Sequence, residues 1–291
     1  MSTALRALLE HVVDYAGLYP PANLDLPSAA RNYASYRAGD DRWMLGRFVV
    51  GVARLPELRA IIGGFRPAGT PWPVTVVAPD AAAATAVIRG VDIGGLTVES
   101  IEVKAKTAAD VGLLARATDR KRDVYVEVGI DDSLDGMLDA IMVAKLRAKV
   151  RTGGVTSDAF PPTADVVRFI RACLTRDIPF KATAGLHHPL RGTYPLTYDA
   201  NATSAPMYGF LNVFLAAALM RATDFSDDDA RALLDESDES AFAIQDQTIA
   251  WRDHVADLEA IQMTRTRVAT SFGSCSFREP VEELPFPMVN A

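Results

Sequence analysis

Six ionisable side chains lie on four short runs in which apolar and polar residues alternate: Glu102 and Lys104, Glu127, Lys149 and Arg151, and Lys181. In an extended chain, residues two apart share a face. Val124, Val126 and Val128 therefore take one side of their run and leave Tyr125 and Glu127 on the other. By the same rule Ile101 and Val103 leave Ser100, Glu102 and Lys104, Val150 leaves Lys149 and Arg151, and Phe180, Ala182 and Ala184 leave Lys181 and Thr183. A charge among apolar neighbours costs desolvation free energy unless it is paired or used. Acids and bases gathered on successive strands suit a small, polar, anionic molecule and can move protons on it. The alternative is an internal salt-bridge network without chemistry.

Half of the four histidines follow the last of these runs, as His187-His188. Neighbours on an extended chain diverge, so one of the two is expected to reach a site as general acid or base. Small residues after two runs, Arg151-Thr152-Gly153-Gly154 and Ser271-Phe272-Gly273-Ser274, can turn backbone N–H groups toward an anion. Thus Arg151, Gly153, Gly154, Ser271, Gly273 and Ser274 join Glu102, Lys149 and Thr183 as candidate substrate-binding residues. Lys181, Glu127, His187 and His188 are the candidate catalytic ones. A serine-rich turn capping the last helix is the plainer reading of residues 271–274. No cofactor is required for amine or acid–base chemistry. One histidine with Glu102 and Glu127 could instead hold a divalent metal. Neither C-x-x-C nor H-E-x-x-H occurs. Nothing local marks Cys275 as a reactive thiolate.

The elements that would position these groups follow a rhythm. Eight β-rich runs, 46–53, 73–78, 98–104, 123–129, 148–152, 179–185, 241–246 and 267–272, alternate with helical patterns such as 107–118, 133–147, 163–176, 206–223 and 248–264. Alternation of this kind predicts parallel βαβ units, and eight of them predict a closed (β/α)₈ barrel of the α/β class. A doubly wound sheet would want a G-x-G-x-x-G turn, which is absent. Residues 1–44, with helical patterns at 3–13 and from Ser28 to about Arg37, read as a helical extension packed on a single catalytic barrel over 45–291. The stiff, aromatic stretch 14–22 reads equally as a lid over one mouth or a plug at the other. The long irregular segment 186–205, after the sixth run, is expected on the catalytic face.

The stretch Lys181-Ala182-Thr183-Ala184-Gly185 resembles the lysine-bearing strand of deoxyribose-phosphate-aldolase-type barrels. That resemblance implies a Schiff base between Lys181 and a carbonyl substrate, with Lys149 or Arg151 lowering the lysine pKa by like-charge proximity.

The 291 residues, 49% hydrophobic and 23% charged with a net charge of -7, suit a globular protein with a large core. An acidic balance without a basic run argues against nucleic acid. The longest apolar run, 210–220, is too short to span a bilayer. The start of the chain lacks a signal-peptide pattern, and two distant cysteines fit a reducing cytoplasm. The expected partner is a phosphorylated or carboxylated small molecule, and a homo-oligomer is compatible with the sequence. The expected function is a lyase of aldolase type, with a metal-dependent hydrolase or isomerase and a metabolite-binding protein as alternatives.

Overall fold

Each barrel strand meets a shell of helices on one face and the lumen on the other, which is why valine alternates with polar residues. In the computed structural model, which describes residues 2–67, 69–90, 95–118 and 120–285, eight parallel strands close on themselves. They are β1 (Val13–Tyr15), β2 (Leu45–Gly51), β3 (Trp72–Ala78), β4 (Leu96–Lys104), β5 (Asp123–Val128), β6 (Arg147–Arg151), β7 (Phe180–Thr183) and β13 (Ala269–Ser274). The intervening strands stand outside the barrel. β8 (Gly192–Pro195) and β9 (Ser204–Met207) pair as a hairpin, and β10 (Phe242–Ile244), β11 (Thr248–Trp251) and β12 (His254–Asp257) form a small antiparallel sheet. The molecule is a (β/α)₈ barrel.

Its strand membership differs from the expected one at two places. The run 241–246 is not a barrel strand; Phe242 pairs with Trp251 in the small sheet. The missing strand is Val13–Tyr15, inside the segment read as a helical extension, so the expected boundary at residue 44 falls between two adjacent barrel strands. Three residues buried on both faces show no alternation that a sequence pattern could reveal. The strand that carries Lys181 is consequently the seventh of the barrel. The helix expected over 248–264 also divides, because Arg252 turns into the left-handed region at φ 51° and folds β11 back on β12.

Among the described residues eleven α-helices surround the barrel: α1 (Thr3–Leu9), α2 (Leu26–Ala38), α3 (Leu55–Ile61), α4 (Ala81–Ile88), α5 (Ala108–Ala117), α6 (Leu134–Ala144), α7 (Thr163–Thr175), α8 (Phe210–Ala222), α9 (Asp227–Leu234), α10 (Leu258–Arg267) and α11 (Arg278–Glu282). Short polar side chains start many of them by accepting an otherwise unpaired N–H. Asp25 caps α2 by accepting from Ser28, Asp257 caps α10, and Thr107 with Asp110 forms a capping box on α5. The apolar run 210–220 is the buried helix α8, packed through Phe210 and Phe214 on Phe272 of β13. Asn212 sits there without penalty because its amide bonds the Leu233 and Glu236 carbonyls and accepts from Arg191 N–H. Among the described residues no helix is long and apolar enough to cross a membrane.

Candidate active site at the C-terminal barrel mouth

Inward parity brings the charges together as a continuous chain across the lumen. Lys181 Nζ lies 2.6 Å from Asp14 Oδ2 and 2.6 Å from Glu102 Oε1. Glu102 uses its other oxygen on Lys149 Nζ at 2.6 Å, and Lys149 reaches Glu127 at 2.9 Å. Lys104 closes the chain on Glu127 at 3.5 Å. Cations and carboxylates alternate, so each buried charge has neighbours of opposite sign. Beneath them the lumen is filled by Tyr125, whose ring lies 5.6 Å from Lys181 Nζ, and by a Thr75–Ser100 hydroxyl pair at 2.7 Å.

The pairing fixes protonation. Burial works to raise the Glu102 pKa, but Lys149 and Lys181 outweigh it and bring it down to about 2. Glu127 is likewise lowered, burial being outweighed by Lys149. Burial works to lower the Lys181 pKa, yet Asp14 and Glu102 prevail and hold the ammonium well above its ordinary value. The lowering implied by the aldolase resemblance is thus reversed, because the nearest charges to Lys181 are acids. Lys181 is also wholly enclosed, with no exposed surface.

Above this chain opens a cavity of about 360 Å³. Glu102, Lys104, Glu127, Lys149 and Arg151 form its charged side together with the Thr183 hydroxyl, and Val49 and Val77 its apolar side. Ala16, Tyr19, Pro20 and Pro21 form part of its rim, so the stretch 14–22 lies at this mouth and not at the opposite one. Lys181 does not border the cavity, whereas Lys149 does. Arg151, exposed at the rim, takes part in no salt bridge among the described residues.

The glycines and serines divide between lining and support. Gly154, Gly185 and Gly273 border the cavity. Gly153 instead packs under the Phe160 ring, where any side chain would collide, and Gly185, at φ 74°, approaches the same ring. Residues 271–274 are strand, in register with β1 and β7, so their backbone belongs to the ladder and does not form the expected anion loop. Ser271 donates to Asp14 at 3.0 Å below the cavity, and Ser274 contacts His187 Nδ1 at 3.1 Å.

The two histidines diverge, as adjacent residues must. His187 borders the cavity and sets Nδ1 at 3.8 Å from Cys275 Sγ and 3.5 Å from Glu279. Burial opposes its protonation, but Cys275 and Glu279 outweigh it and raise the pKa to about 9. His188 turns away from the main cavity, stacking on Tyr194 and meeting Glu283 at 2.6 Å, and burial lowers its pKa. Cys275 also borders the cavity, with Tyr198 OH at 3.5 Å from its sulfur.

One residue and one contact escaped the sequence reading. Asp14 anchors Lys181 and lies on the unrecognised strand β1; in the sequence it shows only as an acid ahead of the turn-rich, aromatic stretch Tyr15–Pro21. The His187–Cys275 contact joins residues 88 positions apart. The metal alternative gathers too few donors, since no three His, Cys, Asp or Glu side chains converge among the described residues. Glu102 and Glu127 commit their oxygens to lysines. Comparison with known protein families and with curated proteins returns no match for this chain.

Proposed function

We propose that the chain is a lyase of aldolase type acting on a small anionic carbonyl compound, with Lys149 as the amine. One observation carries this reading: Lys149 borders the cavity while bridging the buried Glu102 and the partly buried Glu127. The fully enclosed Lys181 is a positioning residue that holds Glu102 ionised. Proton transfer from Lys149 Nζ to Glu127 over 2.9 Å frees the amine to attack the carbonyl carbon. The carbonyl oxygen then takes two protons and leaves as water, so that ammonium and carbonyl become iminium and water with the positive charge conserved. The carboxylates that hold the ammonium also suit the iminium, into which the substrate's Cα–Cβ bond gives its electron pair while the β-hydroxyl passes its proton to a carboxylate and becomes a carbonyl; the enamine then takes a proton at Cα, and water hydrolyses the iminium so formed, releasing the second carbonyl product and restoring the ammonium. Arg151 and Lys104 receive the carboxylate or phosphate of the substrate, and His187 is the second proton carrier on the cavity wall.

The free, buried Cys173 and Cys275 support a reducing, cytoplasmic setting. The test is borohydride trapping with a panel of keto acids, aldehydes and sugar phosphates, read by intact mass and peptide mapping. A stable adduct on Lys149, absent in Lys149→Arg, is the expected result. No adduct with any member of the panel would overturn amine catalysis and leave a binding protein with a paired lumen.

A further inference from the structure

A second and larger cavity, of about 820 Å³, opens at the opposite, N-terminal mouth of the barrel. Volumes of this order accommodate small-molecule ligands. Six arginines and four carboxylates line it. The carboxylates of Glu10, Glu99 and Asp123 pair with Arg6, Arg47 and Arg147, and the fourth, Asp40, makes no salt bridge among the described residues. The remaining three arginines bond only to backbone carbonyls among the described residues: Arg37 to Pro71, Arg42 to Gly39, and Arg265 to Glu10, Ala269 and Thr270. In a chain of net charge -7, this concavity has the opposite sign to the whole.

Arg265 is the sharpest case. Its Nε is buried with no hydrogen-bond partner, and the Phe214 ring lies 5.2 Å from the guanidinium carbon. Carbonyl dipoles orient a guanidinium without cancelling its charge, and this partly buried cation has acids near it, Asp14 and Glu10, but no carboxylate among its hydrogen-bond or salt-bridge partners. Burial lowers its pKa to about 10. Nothing in the chemistry of the other mouth uses this group, which lies on α10 and touches the first residues of β13. A ligand anion in the adjoining cavity would supply the missing counter-charge.

We propose that the N-terminal mouth is a second binding site, taking a small multivalent oxyanion with carboxylate or phosphate groups, recognised by Arg37, Arg42 and Arg265. Guanidinium groups bind both oxyanions through paired N–H donors, so the two ligand sources share one chemistry. Trp43 and Tyr33, also in the wall, give a carbon skeleton a surface to lie on. The site is independent of amine chemistry at Lys149.

Calorimetric titration of the full chain with inorganic phosphate, citrate and ribose 5-phosphate tests it, the three arms separating carboxylate from phosphate recognition. At least one anion is expected to bind with a Kd of about 1 mM or tighter. The double variant Arg37→Glu/Arg42→Glu is expected to weaken one binding component by about tenfold or more, and Arg151→Met, which removes an anion partner of the other mouth, leaves that same component unchanged. If the double variant unfolds, Arg42→Glu alone, on an exposed side chain, is expected to weaken binding roughly threefold. Absence of binding up to about 10 mM for all three anions, or binding lost in Arg151→Met and retained in the arginine variants, would overturn the proposal.

Discussion

At the C-terminal mouth the lumen charges stand on strands and alternate in sign, Asp14, Lys181, Glu102, Lys149, Glu127, so that each is held by its neighbours. At the N-terminal mouth three arginines, from α2, the turn after it and α10, have carbonyl oxygens where the other mouth has carboxylates. The difference teaches what backbone geometry contributes. A ladder fixes side-chain direction and spacing, which allows acids and bases to be matched one to one. Helices and turns at the barrel floor bring in long side chains without such matching, and leave positive charge over. In the functions proposed above, the first arrangement serves proton transfer and the second the capture of an anion.

Removing a charge should therefore cost far more at one mouth than at the other. Lys149→Met is expected to lower turnover of any trapped carbonyl substrate by roughly a thousandfold, equivalent to about 4 kcal/mol of barrier, and to leave anion binding at the N-terminal mouth intact. Lys181→Met strands Asp14 and Glu102 together in the lumen, and urea unfolding should register a loss of about 3–5 kcal/mol. An exposed counterpart, Arg42→Met, should stay within about 0.5 kcal/mol of the parent; equal losses from the two would break the contrast.

Smaller effects sharpen it through pH. Glu102 is depressed from 4.5 to about 2, so its contribution to stability is present above pH 4.5 and lost as pH falls through 2. Unfolding free energy measured from pH 5 to pH 2 should fall over that interval, and Glu102→Gln should remove part of the slope. A parent protein with a flat acid profile would contradict the paired lumen. For His187, raised from 6.5 to about 9, the sign is opposite: its contribution is complete below pH 6.5 and lost as pH climbs through 9. His187→Asn should flatten the alkaline limb of the same curve, the smallest of these effects.

Much of the barrel was legible along the chain because strand alternation is a local property. Val124, Val126 and Val128 announce which way Glu127 points, and the same parity brought Glu102, Lys104, Lys149, Arg151 and Lys181 to one lumen before any strand was paired. β1 was not legible, since three residues buried on both faces carry no period, and with it Asp14 was missed. The small sheet over 242–257 was read as one strand and one helix because its turn depends on a single left-handed residue, Arg252.

The sequence by itself determined the fold class, the inward face of strands β4 to β7 and the mixed charge of that face. Only the tertiary structure decided how deep each group lies. Lys149 and Lys181 are register partners on adjacent strands, yet one borders the cavity and the other is sealed beneath it. Barrel strands tilt, so residues side by side in the ladder sit at different heights along the axis. Height sets solvent access, and solvent access separates a lysine that can meet a substrate from one that holds its neighbours in place.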